Sequence, residues 1–138
     1  MKIGIVGTGY AAQKRAEALQ DEDRAELIAV TGNKPETIAS FSQKFAVVSL
    51  DSWQQLVDRS DLDLVFICNI NSEHGAIALA AVEAEKHVVV EYPLALDPNF
   101  CVGSVRSGRL LAVADPQRAD RERSALAACA VGLHLVPF

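Results

Sequence analysis

The sequence predicts an α/β protein built on a doubly wound parallel sheet, and three observations carry that expectation. Short apolar runs recur at 2–6, 64–68 and 87–90 without the alternation of a half-exposed strand, as strands buried on both faces require. Longer stretches with helical patterning and helix-start signals lie between them. Strand and helix alternate in this way over residues 1–98, and right-handed crossovers would place ligands beyond the strands' carboxyl ends.

Each element has its own local reason. Lys2-Ile3-Gly4-Ile5-Val6 is a buried strand that stops at Gly7, and the Ala-rich segment 10–20 with Gln13, Lys14, Glu17 and Gln20 on one side is an amphipathic helix. Residues 26–31 form the next strand, Gly32-Asn33-Lys34 a turn, and 35–45 a helix with Pro35 in its first turn. A short third strand is expected at 47–50. Ser52-Trp53-Gln54-Gln55 reads as a capping box opening a helix through Arg59, on which Trp53 packs. The run 64–68 is the fourth strand, Ser72 caps a helix over 73–85, and 87–90 is the fifth strand. No internal repeat of fixed period is present.

Composition limits what the protein does. The 138 residues have room for one ordinary domain; half of them are hydrophobic and 22% are charged, enough for a packed core and unlike a disordered chain. Thirteen basic against 18 acidic residues, with no basic run, speak against nucleic acid or an anionic membrane as partner. Cys68, Cys101 and Cys129 are widely spaced and odd in number, which suggests neither a disulfide framework nor a metal site and suits a reducing cytoplasm. The longest apolar runs, 76–82 and 125–133, are too short to span a bilayer.

Gly7-Thr8-Gly9-Tyr10-Ala11-Ala12 fits the pattern G-x-G-x-x-[G/A] and falls between an expected strand and an expected helix, the context that the dinucleotide fingerprint of a Rossmann fold needs. Gly7 serves the tight turn, Gly9 lets a diphosphate approach the main chain, and Ala12 allows close packing of helix on strand. The first-turn amides and the positive end of the helix dipole would favour the phosphates, the dipole by roughly 0.3–1 kcal/mol. A purely structural turn, or a site for another nucleotide such as S-adenosylmethionine, is the competing reading. About twenty residues further on, NAD-binding domains place an acid on the ribose. Gly32-Asn33-Lys34 stands there instead: space, a hydrogen-bond donor and a cation, a set that favours NADPH over NADH.

With this loop, Asn69-Ile70-Asn71-Ser72-Glu73-His74, and Lys86-His87-Val88-Val89-Val90-Glu91-Tyr92-Pro93, the chain resembles the glucose–fructose oxidoreductase and inositol dehydrogenase family over about residues 1–98. Most of that family carries Glu-Lys-Pro after the fifth strand, its lysine assisting proton transfer at a sugar hydroxyl; here Tyr92 takes the lysine's place. Glu91-Tyr92-Pro93 is similar to the biliverdin reductases of the family, and Val6 to Gln13, Gly32-Asn33, Ser52-Trp53 and His74-Gly75-Ala76-Ile77-Ala78 look like their cyanobacterial members. The resemblance implies NADPH-dependent reduction of a linear tetrapyrrole, with hydride passing to the central methine carbon of biliverdin and a proton to a pyrrole nitrogen, giving bilirubin. Their place after the fourth strand, at the switch point, suggests cofactor contacts for Asn69, Asn71 and His74, a packing or capping histidine being the alternative for the last. Tyr92 has an acid role, a pocket-contact role and a structural role open to it, since a phenol keeps its proton at neutral pH. Glu91 is a tentative catalytic or cofactor-binding residue that could equally order the loop before Pro93. Cys68 reads as a small core residue.

Relatives continue with an open antiparallel sheet that forms most of the substrate cleft, and 138 residues leave no length for it. Residues 99–138, with five arginines and no lysine, are expected to be an irregular, truncated or frame-shifted tail with a candidate sixth strand at 109–113. A chain of this kind is expected to bind NADPH with little turnover and to self-associate. Two other functions stay open: a sugar or polyol dehydrogenase, disfavoured by Tyr92, and a non-catalytic NADP-binding module, favoured by length.

Overall fold

Apolar runs become strands here because helices cover both of their faces. In the computed structural model, which describes residues 1–92 and the strand 110–114, the elements are β1 (Lys2–Val6), α1 (Tyr10–Leu19), β2 (Glu26–Thr31), α2 (Pro35–Phe45), β3 (Val48–Ser49), α3 (Trp53–Val57), β4 (Leu64–Ile67), α4 (Asn71–Glu83), β5 (His87–Glu91) and β6 (Leu110–Ala114). The strands pair in parallel in the order β3-β2-β1-β4-β5-β6, so the chain builds outward from β1, returns beside it at β4 and builds the other way. This is the doubly wound Rossmann order, with its switch point between β1 and β4.

Side-chain alternation along β4 divides the core in two. Leu64 and Phe66 join Ile3, Ile5 and Val30 under α1 (Ala12, Ala16, Leu19) and α2 (Ile38, Phe41). Val65 and Ile67 point the other way, joining Val6, Val88 and Val90 against α3 (Leu56, Val57) and α4 (Ile77, Ala78, Ala81, Val82). Trp53 packs against this second cluster from its edge. Gly4 leaves room for that packing, since a Cβ there would lie 2.9 Å from Leu56 and Leu62 side-chain carbons.

Local starts and stops explain the boundaries. Ser52 Oγ accepts from the Gln55 amide at 3.3 Å, as the capping reading requires, but the Gln55 carboxamide accepts from the Asp51 amide at 3.2 Å, one residue short of a reciprocal box. Ser72 does not cap α4. The helix begins two residues earlier than expected, at Asn71 after an extended Ile70 with no side-chain cap, so Ser72 lies within its first turn. β6 starts and ends one residue later than the stretch 109–113, and pairs with β5 from Val88↔Leu110 to Glu91↔Ala114. The remainder of the tail lies outside the described residues. Among the described residues no helix is long and apolar enough to cross a membrane.

Candidate functional site

Parallel register gathers the strand ends on one edge. Val6 is level with Thr31 on one side and Ile67 on the other, and Ile67 is level with Val90, so Gly7, Gly32, Cys68 and Glu91 follow at one height. The Gly7 amide donates to the Thr31 carbonyl and the Cys68 amide to the Val6 carbonyl, both at 2.8 Å, which fixes the turn to its two neighbours.

The two loop glycines are required for different reasons. Gly7 has φ 117°, and a Cβ there would fall 2.5 Å from the Cys68 carbonyl oxygen, so both backbone and space demand glycine. Gly9 is the N-cap of α1 in an extended conformation that any residue adopts, makes no side-chain cap, and has nothing within 4 Å of where its Cβ would be. No internal contact explains that second glycine; a ligand resting on the amides of Tyr10, Ala11 and Ala12, which precede the first intrahelical donor, Gln13, would. Ala12 is fully buried beneath the turn, packed in the first core cluster.

A cleft of about 420 Å³ opens beside the turn, lined by Gly7, Thr8, Gly9, Asn33, Lys34, Thr37, Cys68, Asn69 and Ile70. Expected residues from three separate loops therefore line one cleft. Gly32 lies just below, its Cβ position 3.4 Å from the Thr8 methyl. Thr37 was not expected: its hydroxyl shares a 2.8 Å hydrogen bond with the Thr8 hydroxyl and donates to the Lys34 carbonyl at 3.0 Å, tying the glycine turn to the start of α2. The Lys34 main chain is thus held, while its exposed ammonium makes no ion pair among the described residues and stays available to an anion. Asn69 donates from Nδ2 to Glu73 Oε2, and its Oδ1 is a buried acceptor without a hydrogen-bond partner. An open glycine and the residue of an orphaned acceptor on one cleft, with the first turn of α1 following directly from that glycine, fit a dinucleotide.

The other expected residues do not line this cleft. The Tyr10 ring is 76% exposed, with Lys14 Nζ 5.8 Å from its centroid; Ala11 is half-buried and Asn71 is exposed at the start of α4. His74 is fully buried and its Nε2 donates to the Asn69 carbonyl at 3.1 Å, so it braces the β4–α4 loop from behind. Tyr92 is 70% exposed at the end of β5. Glu91 points back into the protein, where Arg15 of α1 donates to its Oε1 from Nε at 3.1 Å and from Nη2 at 2.6 Å, each side chain only 9% exposed. Sequence reasoning missed Arg15, although its place in the buried series Ala12, Arg15, Ala16, Leu19 is a visible signal of an arginine on a core face.

Strand order, the two glycines and the cleft across the switch point define a dinucleotide-binding Rossmann domain. The sequence pattern described as "Oxidoreductase family, NAD-binding Rossmann fold" matches residues 1–126. The chain belongs to that family, the glucose–fructose oxidoreductase and inositol dehydrogenase family. The crystal structure of biliverdin reductase from Synechocystis sp. PCC 6803, in complex with biliverdin and NADP+, superimposes with a TM-score of 0.76 at 46% identity, over 81% of this chain and 37% of that one. A WlbA dehydrogenase from Chromobacterium violaceum, in complex with NADH and UDP-GlcNAcA, gives a TM-score of 0.73 at 25% identity over 78% and 32% of the respective chains. Myo-inositol 2-dehydrogenase of Thermotoga maritima is 29% identical over 70% of this chain and 29% of its own. The chain spans about a third of the length of the relatives that it matches.

Proposed function

We propose that this chain is the NADPH-holding part of a biliverdin reductase-like oxidoreductase. The observation that carries the cofactor preference is the wall formed by Asn33, Lys34 and Thr37, a cation and two polar side chains where an NAD-specific site would hold a carboxylate. An acid would repel a 2′-phosphate, whereas the Lys34 ammonium attracts one. Gly9 and the first turn of α1 hold the diphosphate, Asn69 offers Oδ1 to a donor on the ligand, and the Arg15–Glu91 pair carries the end of β5. Bound there, a reduced nicotinamide supplies a hydride.

Tyr92 supports the bilin reading. Reducing a conjugated tetrapyrrole needs no base to deprotonate an alcohol, so an exposed aromatic ring in the place of the family's lysine suits it. The similarity at 46% identity to a reductase crystallised with biliverdin and NADP+ supports the same substrate class. NADPH and NADH titrations, followed by an assay of biliverdin reduction, test it. NADPH is expected to bind at least ten-fold more tightly than NADH, with little turnover by the 138-residue chain. Equal affinity would overturn the cofactor preference; rapid bilirubin formation would overturn the expectation of weak turnover.

The likeness to a dehydrogenase crystallised with a UDP-sugar favours a second reading, oxidation of a sugar or polyol. Polyol-dependent NADP+ reduction appearing in Tyr92→Lys would select it.

A further inference from the structure

Arg15 occupies a position that α1 otherwise fills with Ala12, Ala16 and Leu19, and burying it with Glu91 removes two charges from water. Such a pair stabilises little against an apolar alternative, so its geometry calls for another reason. Two features supply one. The pair joins residues 76 positions apart, from the helix whose first turn faces the glycine cleft to the last residue of β5. It also crosses the switch point: in a doubly wound sheet one half of a dinucleotide lies over the β2 side and the other over the β4 and β5 side. Lys34 and Asn33 stand on the first side, Glu91 and the exposed Tyr92 on the second.

We infer that Arg15 and Glu91 are positioning residues for the nicotinamide half of the cofactor, an inference that rests on the dinucleotide reading above. The guanidinium places two donors on one carboxylate oxygen and so fixes the height and direction of the end of β5 relative to the helix that seats the diphosphate. Neither residue needs to touch the ligand. The clasp sets where Tyr92 and the β5 terminus meet the ring, and it gives Glu91 a geometric task in place of a proton-transfer one.

The test compares two ligands: NADPH, which spans both halves, and 2′,5′-ADP, which occupies the adenosine half alone. In the double variant Arg15→Met/Glu91→Leu, apolar side chains of similar bulk replace the pair and the thermal midpoint is expected to hold or rise. Affinity for 2′,5′-ADP is expected to stay within two-fold of the parent. NADPH affinity is expected to fall at least ten-fold, with the emission of bound NADPH moving toward that of the free dinucleotide. Retention of the parent's NADPH affinity and emission would overturn the inference, as would equal losses for both ligands. Should the double variant not fold, Arg15→Lys decides: it keeps the charge and loses the fork, so NADPH is expected to weaken at least three-fold with 2′,5′-ADP unchanged, and unchanged NADPH binding overturns the clasp. A parent chain that binds neither ligand would overturn the dinucleotide reading itself, an outcome distinct from a parent that binds both and variants that keep NADPH's advantage.

Discussion

Gly7 and Gly9 stand two residues apart and respond to substitution in opposite ways. Gly7→Ala would force a side chain into positive φ and against the Cys68 carbonyl, so its expected cost is about 2–5 kcal/mol of stability, read as a lowered unfolding midpoint. Gly9→Ala meets no atom of the protein; stability should change by less than about 1 kcal/mol while NADPH affinity drops about ten-fold or more. Normal binding by folded Gly9→Ala would contradict the role given to that glycine. Lys34→Ala is expected to lose about 1.5–3 kcal/mol of NADPH binding and leave NADH unaffected, since one charge-assisted contact to the 2′-phosphate disappears; equal losses would contradict its role. These positions were legible because the motif is local and its chemistry depends on residues adjacent in sequence. Arg15 was not, because its partner lies in β5 and only the fold brings them together.

At the scale of elements, local signals located the starts of α1, α2 and α3, at Tyr10, Pro35 and Trp53, and missed that of α4. Ser52 truly caps α3, and Ser52→Ala is expected to cost about 1 kcal/mol in a denaturant titration. α4 starts ahead of Ser72 because Ile70 leaves β4 extended and the Asn69 side chain, reaching to Glu73, braces the first turn from before the helix. β3 shrinks to two residues at the sheet's edge, where only one neighbour offers hydrogen bonds. α1 and α2 are linked at the surface by Glu17, which accepts from Lys14 at 2.8 Å and from Lys44 at 3.1 Å. The Lys14 hydrogen bond first, then that of Lys44, lowers the Glu17 carboxyl from its ordinary 4.5. A depressed acid contributes stability above its unfolded pKa and loses that contribution as pH falls through the folded value. Glu17→Gln should therefore flatten the pH dependence of the unfolding midpoint below about pH 4.5, with a small effect that added salt removes.

Across the whole molecule, alternation of apolar runs with helical segments was enough to predict a doubly wound sheet, because burial on both faces leaves a parallel strand no polar positions. Strand order and register were not readable in the same way. They depend on which strands meet after the chain returns at the switch point, and it is this return that puts Asn33, Lys34 and Thr37 across a cleft from Asn69. Ligand binding to the folded form alone should raise the unfolding free energy by about 2.7 kcal/mol at a hundred-fold excess over Kd, so at equal concentration NADPH should raise the midpoint more than NADH does. The most direct measurement is a crystal structure of the chain with NADP+. The diphosphate is expected on the first-turn amides of α1 against Gly9, with the 2′-phosphate beside Lys34. A dinucleotide bound elsewhere, or this cleft closed by the protein's own chain, would contradict it.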